Sequence, residues 1–195
     1  MTKMKILIAD DDPIIRLDLR QMLEDLDYEV ISETGDGHLA LQLAHDLRPD
    51  ICILDVKMPG MDGIEVAEQI CHHGIAPVVL LTAYSDKELI QRAQDAGVFG
   101  YLVKPFKFND LPPAIEVAYG RFLQNQELEK EVKSLEEKLE ARKLIDVAKG
   151  ILMDQFGLGE SDAFRRIQTQ SMQVRKSMKE IAEAIILTKN VQQGL

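Results

Sequence analysis

The sequence predicts an α/β fold with a doubly wound, five-stranded parallel sheet, followed by a long helix and a small all-α domain of three helices. Three observations support this. Short apolar runs alternate with amphipathic stretches from Met4 to Tyr101, as in a parallel sheet with helical crossovers. No proline interrupts residues 114–153, so one helix can continue through them. Beyond a break at Phe156 to Gly159 the pattern is again helical.

The five predicted strands are short apolar runs bounded by helical pattern. They are Lys5 to Ala9, Glu29 to Ser32, Ile51 to Leu54, Pro77 to Leu81 and Phe99 to Leu102. Near-continuous apolar runs are typical of parallel strands buried on both faces.

Helix start signals lie between these runs. They are Asp12 as N-cap with Pro13 at the first helical position, Asp36 with Gly37 before the stretch to Leu47, Ser85 with Glu88 as a capping box before Leu89 to Ala96, and Pro112 with Pro113 in the first turn of a helix beginning near Asn109. Each signal satisfies backbone N–H groups at a helix start or tolerates a missing one.

Within the predicted long helix, Leu128, Val132, Leu135 and Leu139 alternate spacings of four and three. This is a coiled-coil seam of about two heptads, which is short. In a parallel, in-register pair like charges would meet across it, Glu131 with Glu136 and Lys138 with Lys143, so an antiparallel or offset pair is favoured. The alternative is a stripe that packs on its own molecule.

The last two helices have signals of their own. Ala163, Phe164 and Ile167 form one apolar face, and Ser177 with Glu180 forms a capping box ahead of Ile181. The sequence therefore predicts a small helical bundle at the C-terminal end.

Composition restricts the class of protein. The chain shows no membrane-length apolar stretch or signal peptide pattern, so we expect a cytoplasmic protein. Two cysteines, Cys52 and Cys71, are too few for a disulfide framework and are expected to be reduced. Cys71, His72 and His73 adjoin one another, but a solvated helix end is preferred over a metal site because ligands must converge from several directions.

The net charge of −10 is unevenly distributed. Residues 1–120 carry 21 acidic and 10 basic residues, residues 121–141 carry 6 and 4, and residues 142–195 carry 6 and 9. A polyanionic partner is therefore expected to bind the C-terminal segment.

Polar residues follow four of the predicted strands: Asp10 and Asp11, Asp55, Thr82 and Lys104. Because the carboxyl ends of parallel strands line the ligand crevice of an open sheet, these side chains are expected to converge. Two or three carboxylates suit Mg²⁺, which keeps coordination places for phosphoryl oxygens. Asp55 is then the nucleophile that forms an acyl phosphate, Lys104 offsets charge on the transferring oxygens, and Thr82 donates a hydrogen bond to the phosphoryl group.

Simpler interpretations stand beside this one. The three aspartates at residues 10–12 could merely cap the first helix, and Asp55 could be a loop residue before the turn at residues 58–63. The coincidence of acid, acid, hydroxyl and lysine at the ends of different strands favours the functional interpretation.

Residues 4–119 closely resemble the response-regulator receiver domain of two-component signalling. The residues that carry the resemblance are Ala9, Asp10, Asp11, Asp55, Met58, Pro59, Gly60, Asp62, Gly63, Thr82, Ala83, Tyr101, Leu102, Val103, Lys104 and Pro105. The resemblance implies a flavodoxin-like sheet of order 2-1-3-4-5. It also implies that Thr82 and Tyr101 shift together on phosphorylation, although Tyr101 could be a plain core aromatic.

The same resemblance implies the roles of the acidic residues. Asp55 would accept a phosphoryl group from a cognate histidine kinase. Asp11, Asp55 and the backbone carbonyl of Lys57 would hold Mg²⁺, with Asp10 acting through water.

Basic residues of the C-terminal helices are the candidates for RNA contacts: Arg142, Lys149, Arg165, Arg166, Arg175 and Lys176. Interleaved amides and hydroxyls suit a phosphate backbone and unpaired bases, although a solvated helix face explains the charges about as well. A DNA-binding helix-turn-helix is disfavoured because the last helix carries Glu180 and Glu183 and is mostly apolar. A protein-docking tail is the remaining alternative.

Residues 135–190 resemble the ANTAR module of transcription antitermination regulators. The similarity is carried by Arg142, Lys143, Ala148, Lys149, Gly150, Leu152, Met153, Ala163, Phe164, Ser171, Met172, Ile181, Ala182, Ile185 and Ile186. It implies binding of RNA hairpins in leader transcripts, which prevents a terminator from forming.

Together these features predict a regulator rather than an enzyme. Its expected domains are a receiver at residues 1–121, a coiled-coil-like helical linker at 122–141 and an ANTAR RNA-binding domain at 142–195. Phosphorylation of Asp55 is expected to control dimerisation and RNA hairpin binding.

Overall fold

The computed structural model describes residues 3–83 and 87–193. The chain forms two compact units, Met1–Glu127 and Leu128–Leu195, each of which is described by itself. Among the described helices, none has the length and apolarity that a bilayer crossing requires.

The first unit contains a five-stranded sheet. Its strands are β1 Lys5–Ala9, β2 Glu29–Thr34, β3 Ile51–Asp55, β4 Val78–Thr82 and β5 Gly100–Val103. All neighbours pair in parallel in the order β2-β1-β3-β4-β5, which confirms the predicted fold and strand order. β3 and β4 each extend one residue beyond the predicted end and so include Asp55 and Thr82. The predicted strands end where the apolar run ends, but the backbone hydrogen bonds between strands continue through the first polar residue.

The helices follow the predicted order. They are α1 Pro13–Asp25, α2 Gly37–Leu47, α3 Gly63–His72, α4 Lys87–Asp95, α5 Leu111–Phe156, α6 Glu160–Val174 and α7 Met178–Gln193, with a short 3-10 turn at Phe108–Asp110 before α5.

The predicted N-caps of α1 and α2 are confirmed. Asp12 accepts a hydrogen bond from the Ile14 N–H at 2.8 Å, and Asp36 accepts one from the Leu39 N–H at 3.0 Å. Each satisfies an N–H that has no partner within the helix. The predicted capping box of Ser85 and Glu88 involves side chains outside the described residues.

The core of the first unit lies on both faces of the sheet. Alternate strand residues, such as Leu7 and Leu54, pack towards α2, α3 and α4, while Ile8 and Ile53 pack towards α1 and the first turns of α5. The central strands are therefore buried on both sides, which explains why they read as unbroken apolar runs. Cys52 is one of these buried residues, and burial raises the pKa of its thiol.

The second unit has a small core built by α5, α6 and α7. The buried residues that pack together in it are Ala148, Leu152, Ala163, Ile167, Ile181 and Ala182. The predicted capping box at the start of α7 is confirmed: the Ser177 N–H donates to Glu180 Oε2 at 2.8 Å, and the Glu180 N–H donates to Ser177 Oγ at 3.2 Å. The seam residues Leu128, Val132, Leu135 and Leu139 are 53–59% exposed, so this stripe is not part of the core.

Candidate functional site

The carboxyl ends of the strands bring the predicted polar residues to one rim of the sheet. Asp10 follows β1, Asp55 ends β3, Thr82 ends β4 and Lys104 follows β5. The backbone ties the last two together, since the Lys104 N–H donates to the Thr82 carbonyl at 2.7 Å. The Lys104–Pro105 peptide bond is cis.

Lys104 bridges two carboxylates at this rim. Its Nζ lies 2.5 Å from Asp10 Oδ2 and 2.5 Å from Asp55 Oδ1. The side chain of Asp10 is fully buried and that of Asp55 nearly so, while Lys104 retains 17% exposure. Charge-assisted contacts in such a buried place are stronger than the same pairs in water. The structure therefore brings together three residues that are separated by up to 94 positions in sequence.

Asp11 completes an acidic cluster. One carboxylate oxygen from each of Asp10, Asp11 and Asp55 lies within 4.8 Å of the others, and this is the only such cluster of possible metal ligands among the residues that the structure describes. The cluster holds three carboxylates, two of which contact Lys104, so it has an excess of negative charge. Hard oxygen donors with excess negative charge fit Mg²⁺. The adjoining Cys71, His72 and His73 form no part of it.

Burial controls the ionisation of Asp55. It raises the pKa of the carboxyl group, and the contact with Lys104 and the Lys57 N–H only partly offset this, while the neighbouring Asp10 adds to the rise. For Lys104 burial acts to lower the pKa, but the contacts with Asp10 and Asp55 outweigh it and the pKa is raised. Lys104 thus stays charged, whereas the ionised form of Asp55 carries a desolvation cost.

Backbone groups of the β3–α3 loop hold Asp55 in place. The Lys57 N–H donates to Asp55 Oδ2 at 2.8 Å, and the Gly63 N–H donates to the Val56 carbonyl at 2.9 Å. A Cβ atom on Gly63 would lie 1.9 Å from the Asp55 carbonyl oxygen, a distance that no side chain allows. Gly63 therefore permits α3 to begin directly against the end of β3.

The start of α3 is held by a second charged group. Asp62 forms a capping box with Glu65, and its other oxygen accepts a hydrogen bond from Arg92 Nη2 at 2.8 Å. Although burial acts to raise it, the pKa of Asp62 is lowered by Arg92 and by the N–H donors of the cap. The sequence marks Asp62 as part of the turn at residues 58–63 and of the receiver resemblance, but it does not predict the pairing with α4.

Arg16 is a site neighbour that sequence reasoning missed. Its Nη1 donates to the backbone carbonyl of Asp10 at 2.5 Å and lies 3.4 Å from that of Asp11. A Cβ atom on Gly35 would lie 2.9 Å from the same nitrogen, so a glycine leaves room for the guanidinium. Arg16 thereby holds the turn that presents both aspartates. An arginine one turn into the helix after the acidic run was the available signal.

Two predicted switch residues differ in exposure. Thr82 is buried, while Tyr101 on β5 is 50% exposed. Thr82 pairs with Val103, and Tyr101 pairs with Leu80 two residues earlier on each strand. Tyr101 is therefore not a plain core aromatic, and half of its surface is available for a change of environment.

The predicted RNA-binding residues lie in different local environments. Lys149 is held by Asp146 at 2.7 Å and Glu160 at 2.8 Å and is mostly covered. Arg166 lies over the ring of Phe156, with 4.6 Å between its guanidinium carbon and the ring centroid. Arg166 is nevertheless exposed, and so are Arg142, Arg165, Arg175 and Lys176.

Two family models match the chain. The response regulator receiver domain matches residues 6–116, and the ANTAR domain matches residues 133–186. The transcriptional regulatory protein PdtaR of Mycobacterium tuberculosis is 49% identical over 184 residues, which cover 94% of this chain and 90% of that protein. The positive alginate biosynthesis regulatory protein of Pseudomonas aeruginosa is 38% identical over 117 residues, covering 59% of this chain and 47% of the relative.

Solved structures match the first unit. The receiver domain of the putative response regulator NarL from Mycobacterium tuberculosis has a TM-score of 0.59 at 28% identity, covering 62% of this chain and 98% of that one. The receiver domain of a modulated diguanylate cyclase from Desulfovibrio desulfuricans has a TM-score of 0.59 at 33% identity, and the match covers 64% of this chain and 99% of that one. Both resemblances inferred from sequence are confirmed: the chain belongs to the two-component response regulators and joins a receiver domain to an ANTAR domain.

Proposed function

We propose that this response regulator accepts a phosphoryl group on Asp55 from a histidine kinase, and that phosphorylation controls dimerisation and binding of RNA hairpins by the ANTAR domain. Bound hairpins in a leader transcript would then prevent a terminator from forming, so that transcription continues in the cytoplasm. The single observation that carries the proposal is the bridge from Lys104 to Asp10 and Asp55 at the carboxyl ends of the strands.

The proposed reaction transfers a phosphoryl group from a histidine side chain of the kinase to Asp55. An Asp55 oxygen attacks the phosphorus of a phosphohistidine, the P–N bond breaks, and an acyl phosphate forms while the imidazole leaves. Lys104 is placed within ion-pair distance of Asp55 Oδ1, so it can offset negative charge on the transferring oxygens. Thr82 is buried at the end of the adjacent strand and supplies a hydroxyl for the new phosphoryl group.

Mg²⁺ is the cofactor that the acidic cluster fits. Asp11, Asp55 and the backbone carbonyl of Lys57 would hold it, with Asp10 acting through water, and the bound cation supplies positive charge that stabilises the phosphoryl oxygens. The cation would also reduce the mutual repulsion of the three carboxylates, which Lys104 and the Lys57 N–H offset in part.

The state of Asp55 must then reach the second domain. We propose that Thr82 moves towards the phosphoryl group and that Tyr101 shifts with it, which changes the surface formed by α4, β5 and α5. A near-complete change of state requires a difference of about 5.5 kcal/mol between the two arrangements. Helix pairing through a seam of about two apolar heptads is weak. A free-energy difference of this size between the two states can therefore control it.

Dimerisation would use the exposed seam at Leu128, Val132, Leu135 and Leu139. Two ANTAR domains in one dimer could bind two hairpins of the same transcript, which raises the effective affinity without any new contact. We propose the same domain boundaries as the sequence predicts: a receiver domain at residues 1–121, a helical linker at 122–141 and an ANTAR domain at 142–195.

Two other outputs are open for the helical tail: duplex DNA binding and docking on a protein partner. The excess of basic over acidic residues in 142–195 and the ANTAR match support RNA. Titrating the phosphorylated protein with hairpin RNA and with duplex DNA over a salt series separates the three. Equal, weak binding to both nucleic acids would favour the protein partner.

Phosphoryl transfer is tested with a small acyl-phosphate donor carrying a labelled phosphoryl group. The wild type and an Asp46→Asn variant should become labelled, since Asp46 is exposed on α2, whereas Asp55→Asn should remain unlabelled. Persistent labelling of the Asp55→Asn variant would rule out Asp55 as the nucleophile.

A further inference from the structure

A groove of about 420 Å³ lies wholly within the second unit, between the C-terminal end of α5, α6 and α7. Its volume falls in the range of about 300–1,000 Å³ that is usual for small-molecule sites. Apolar side chains form its floor: Leu152, Ile167, Ile181 and Ile185. We call this feature the α5–α7 groove.

A stacked pair stands at the mouth of the α5–α7 groove. Phe156 is 54% exposed, and the guanidinium of Arg166 lies over one face of its ring. Aromatic rings and guanidinium planes are the two kinds of side chain on which proteins stack unpaired nucleobases. Phe156 is an exposed aromatic at the end of α5, and one face of its ring already holds an arginine. This stacked pair is therefore suited to receive a base.

Polar groups line the walls above the apolar floor. Gln155, Gln170 and Thr188 each contribute to the lining, and together they offer amide donors, amide acceptors and a hydroxyl. Such groups can pair with the edges of a base that is not already paired in a duplex.

The charge of the α5–α7 groove favours a polyanion. Its charged lining residues are Arg166 and Lys189, and no carboxylate is among the described residues that line it. A second groove, lined by Lys138, Arg142, Lys149 and Phe164 among others, contains Asp146, and its Lys149 is bound by two carboxylates. The two grooves thus differ in that a carboxylate lines the second groove, whereas the described lining of the α5–α7 groove contains none.

We propose that the α5–α7 groove receives an unpaired nucleobase from the loop of an RNA hairpin. The base stacks at Phe156 and Arg166 above the apolar floor, and Arg166 and Lys189 face the adjoining phosphates. This inference rests on the proposed RNA-binding function and deepens it, because it assigns the surface that reads the loop.

The test uses the full-length, phosphorylated chain and a pool of hairpin RNAs with a fixed stem and a randomised loop, with the stem duplex alone as reference. Four variants are compared with the wild type by fluorescence anisotropy: Phe156→Leu, Phe156→Tyr, Phe164→Leu and Lys189→Ala. Phe164 is a matched control, since it is an exposed aromatic that lines the second groove.

The expected result is specific to the loop. Phe156→Leu should weaken binding of the hairpin pool by roughly 5- to 150-fold, which corresponds to the loss of one base stack of about 1–3 kcal/mol. Its binding to the stem duplex should not change, and Phe156→Tyr should bind as the wild type does. Lys189→Ala should lower the slope of log affinity against log salt by about 1, whereas Phe156→Leu should leave the slope unchanged.

The outcomes separate the inference from the proposed function. Loop-dependent binding that survives Phe156→Leu but is lost in Phe164→Leu would overturn the inference and leave RNA binding intact. Absence of any preference for hairpin over stem duplex in the wild type would overturn both. Displacement of the RNA by poly-glutamate from the wild type but not from Phe156→Leu would assign the groove to an acidic peptide instead.

A crosslink gives a readout that does not depend on the fold of a variant. Loops that contain 5-iodouridine should crosslink, on irradiation of the wild type, to the peptide that includes Phe156. Crosslinks confined to the peptide that includes Phe164 would also overturn the inference.

Discussion

The two units place their functional residues in opposite environments. In the receiver unit Asp10, Asp55 and Thr82 are buried at the rim of a sheet whose strands are covered on both faces. In the ANTAR unit the candidate groups Phe156 and Arg166 are exposed on the surface of a small helical bundle. A switch needs groups whose interactions change sharply, which burial provides, whereas recognition of a large polyanion needs an accessible surface.

The difference also concerns how tightly each site is constrained. Asp55 is held by Lys104, by the Lys57 N–H and by the start of α3 behind Gly63, whereas Phe156 and Arg166 of the α5–α7 groove hold each other by a single stacking contact at the surface. Changes in the receiver should therefore affect chemistry and stability together. Changes on the ANTAR surface should affect binding alone.

The largest expected effects come from core truncation in either unit. Leu54→Ala in β3 and Ile167→Ala in α6 each remove a buried side chain and should cost about 2–5 kcal/mol of unfolding free energy in their own unit. Because the two residues belong to separate core clusters, the costs should be independent. Calorimetry should show that Ile167→Ala lowers the melting temperature of the ANTAR unit without changing the rate at which Asp55 is phosphorylated. A joint loss would show that the units unfold together.

A somewhat smaller effect is expected at the close contact of the receiver site. Gly63→Ala places a methyl group where the Asp55 carbonyl lies, so α3 must move away from β3 at a cost of about 1–3 kcal/mol. Labelling from an acyl-phosphate donor should fall at least tenfold. Gly120→Ala is a matched control, because a Cβ at Gly120 meets nothing within 4 Å. Equal labelling of both variants would show that the loop adjusts freely.

Asp55 should lower the stability of the receiver when it is ionised. Its pKa is raised in the folded state by burial, so the folded protein retains this proton to a higher pH than the unfolded chain does. Between about pH 3.9, the unfolded value, and the raised folded value, the contribution of Asp55 to the unfolding free energy therefore falls as pH increases. Asp55→Asn should remove this part of the pH dependence and raise the melting temperature at neutral pH.

Mg²⁺ offers an independent check on the same group. Because Mg²⁺ would bind only the folded cluster, its addition should raise the melting temperature of the wild type, and a chelator should reverse the rise. The rise should be reduced in Asp55→Asn. A fall in wild-type stability with Mg²⁺ would contradict the assignment of the cluster.

The smallest effect is expected at an exposed ion pair of the ANTAR unit. Lys179 Nζ lies 2.6 Å from Glu140 Oε2, but such pairs are screened by solvent and salt. Lys179→Gln should leave the melting temperature of this unit within experimental error. A clear fall that disappears at high salt would show that the pair holds α7 against α5.

Much of the receiver could be predicted because its signals are local. An apolar run marks a buried strand wherever it packs, and Asp12 or Asp36 caps a helix through N–H groups two or three residues away. The convergence of Asp10, Asp55 and Lys104 could be inferred as well, since parallel strands present their carboxyl ends at one rim. Both family resemblances were likewise available from residue patterns alone.

The amino-acid sequence by itself determined the order of the elements, the caps, the residue types at the rim and the polarity of the two units. The tertiary structure alone decided which groups touch: Arg16 on the Asp10 carbonyl, Gly63 against Asp55, Asp62 with Arg92, Lys149 between two carboxylates and Arg166 over Phe156. The physical reason is the distance in sequence between the interacting groups. A cap or a strand depends on near neighbours, whereas an ion pair or a close contact depends on side chains that only packing brings together.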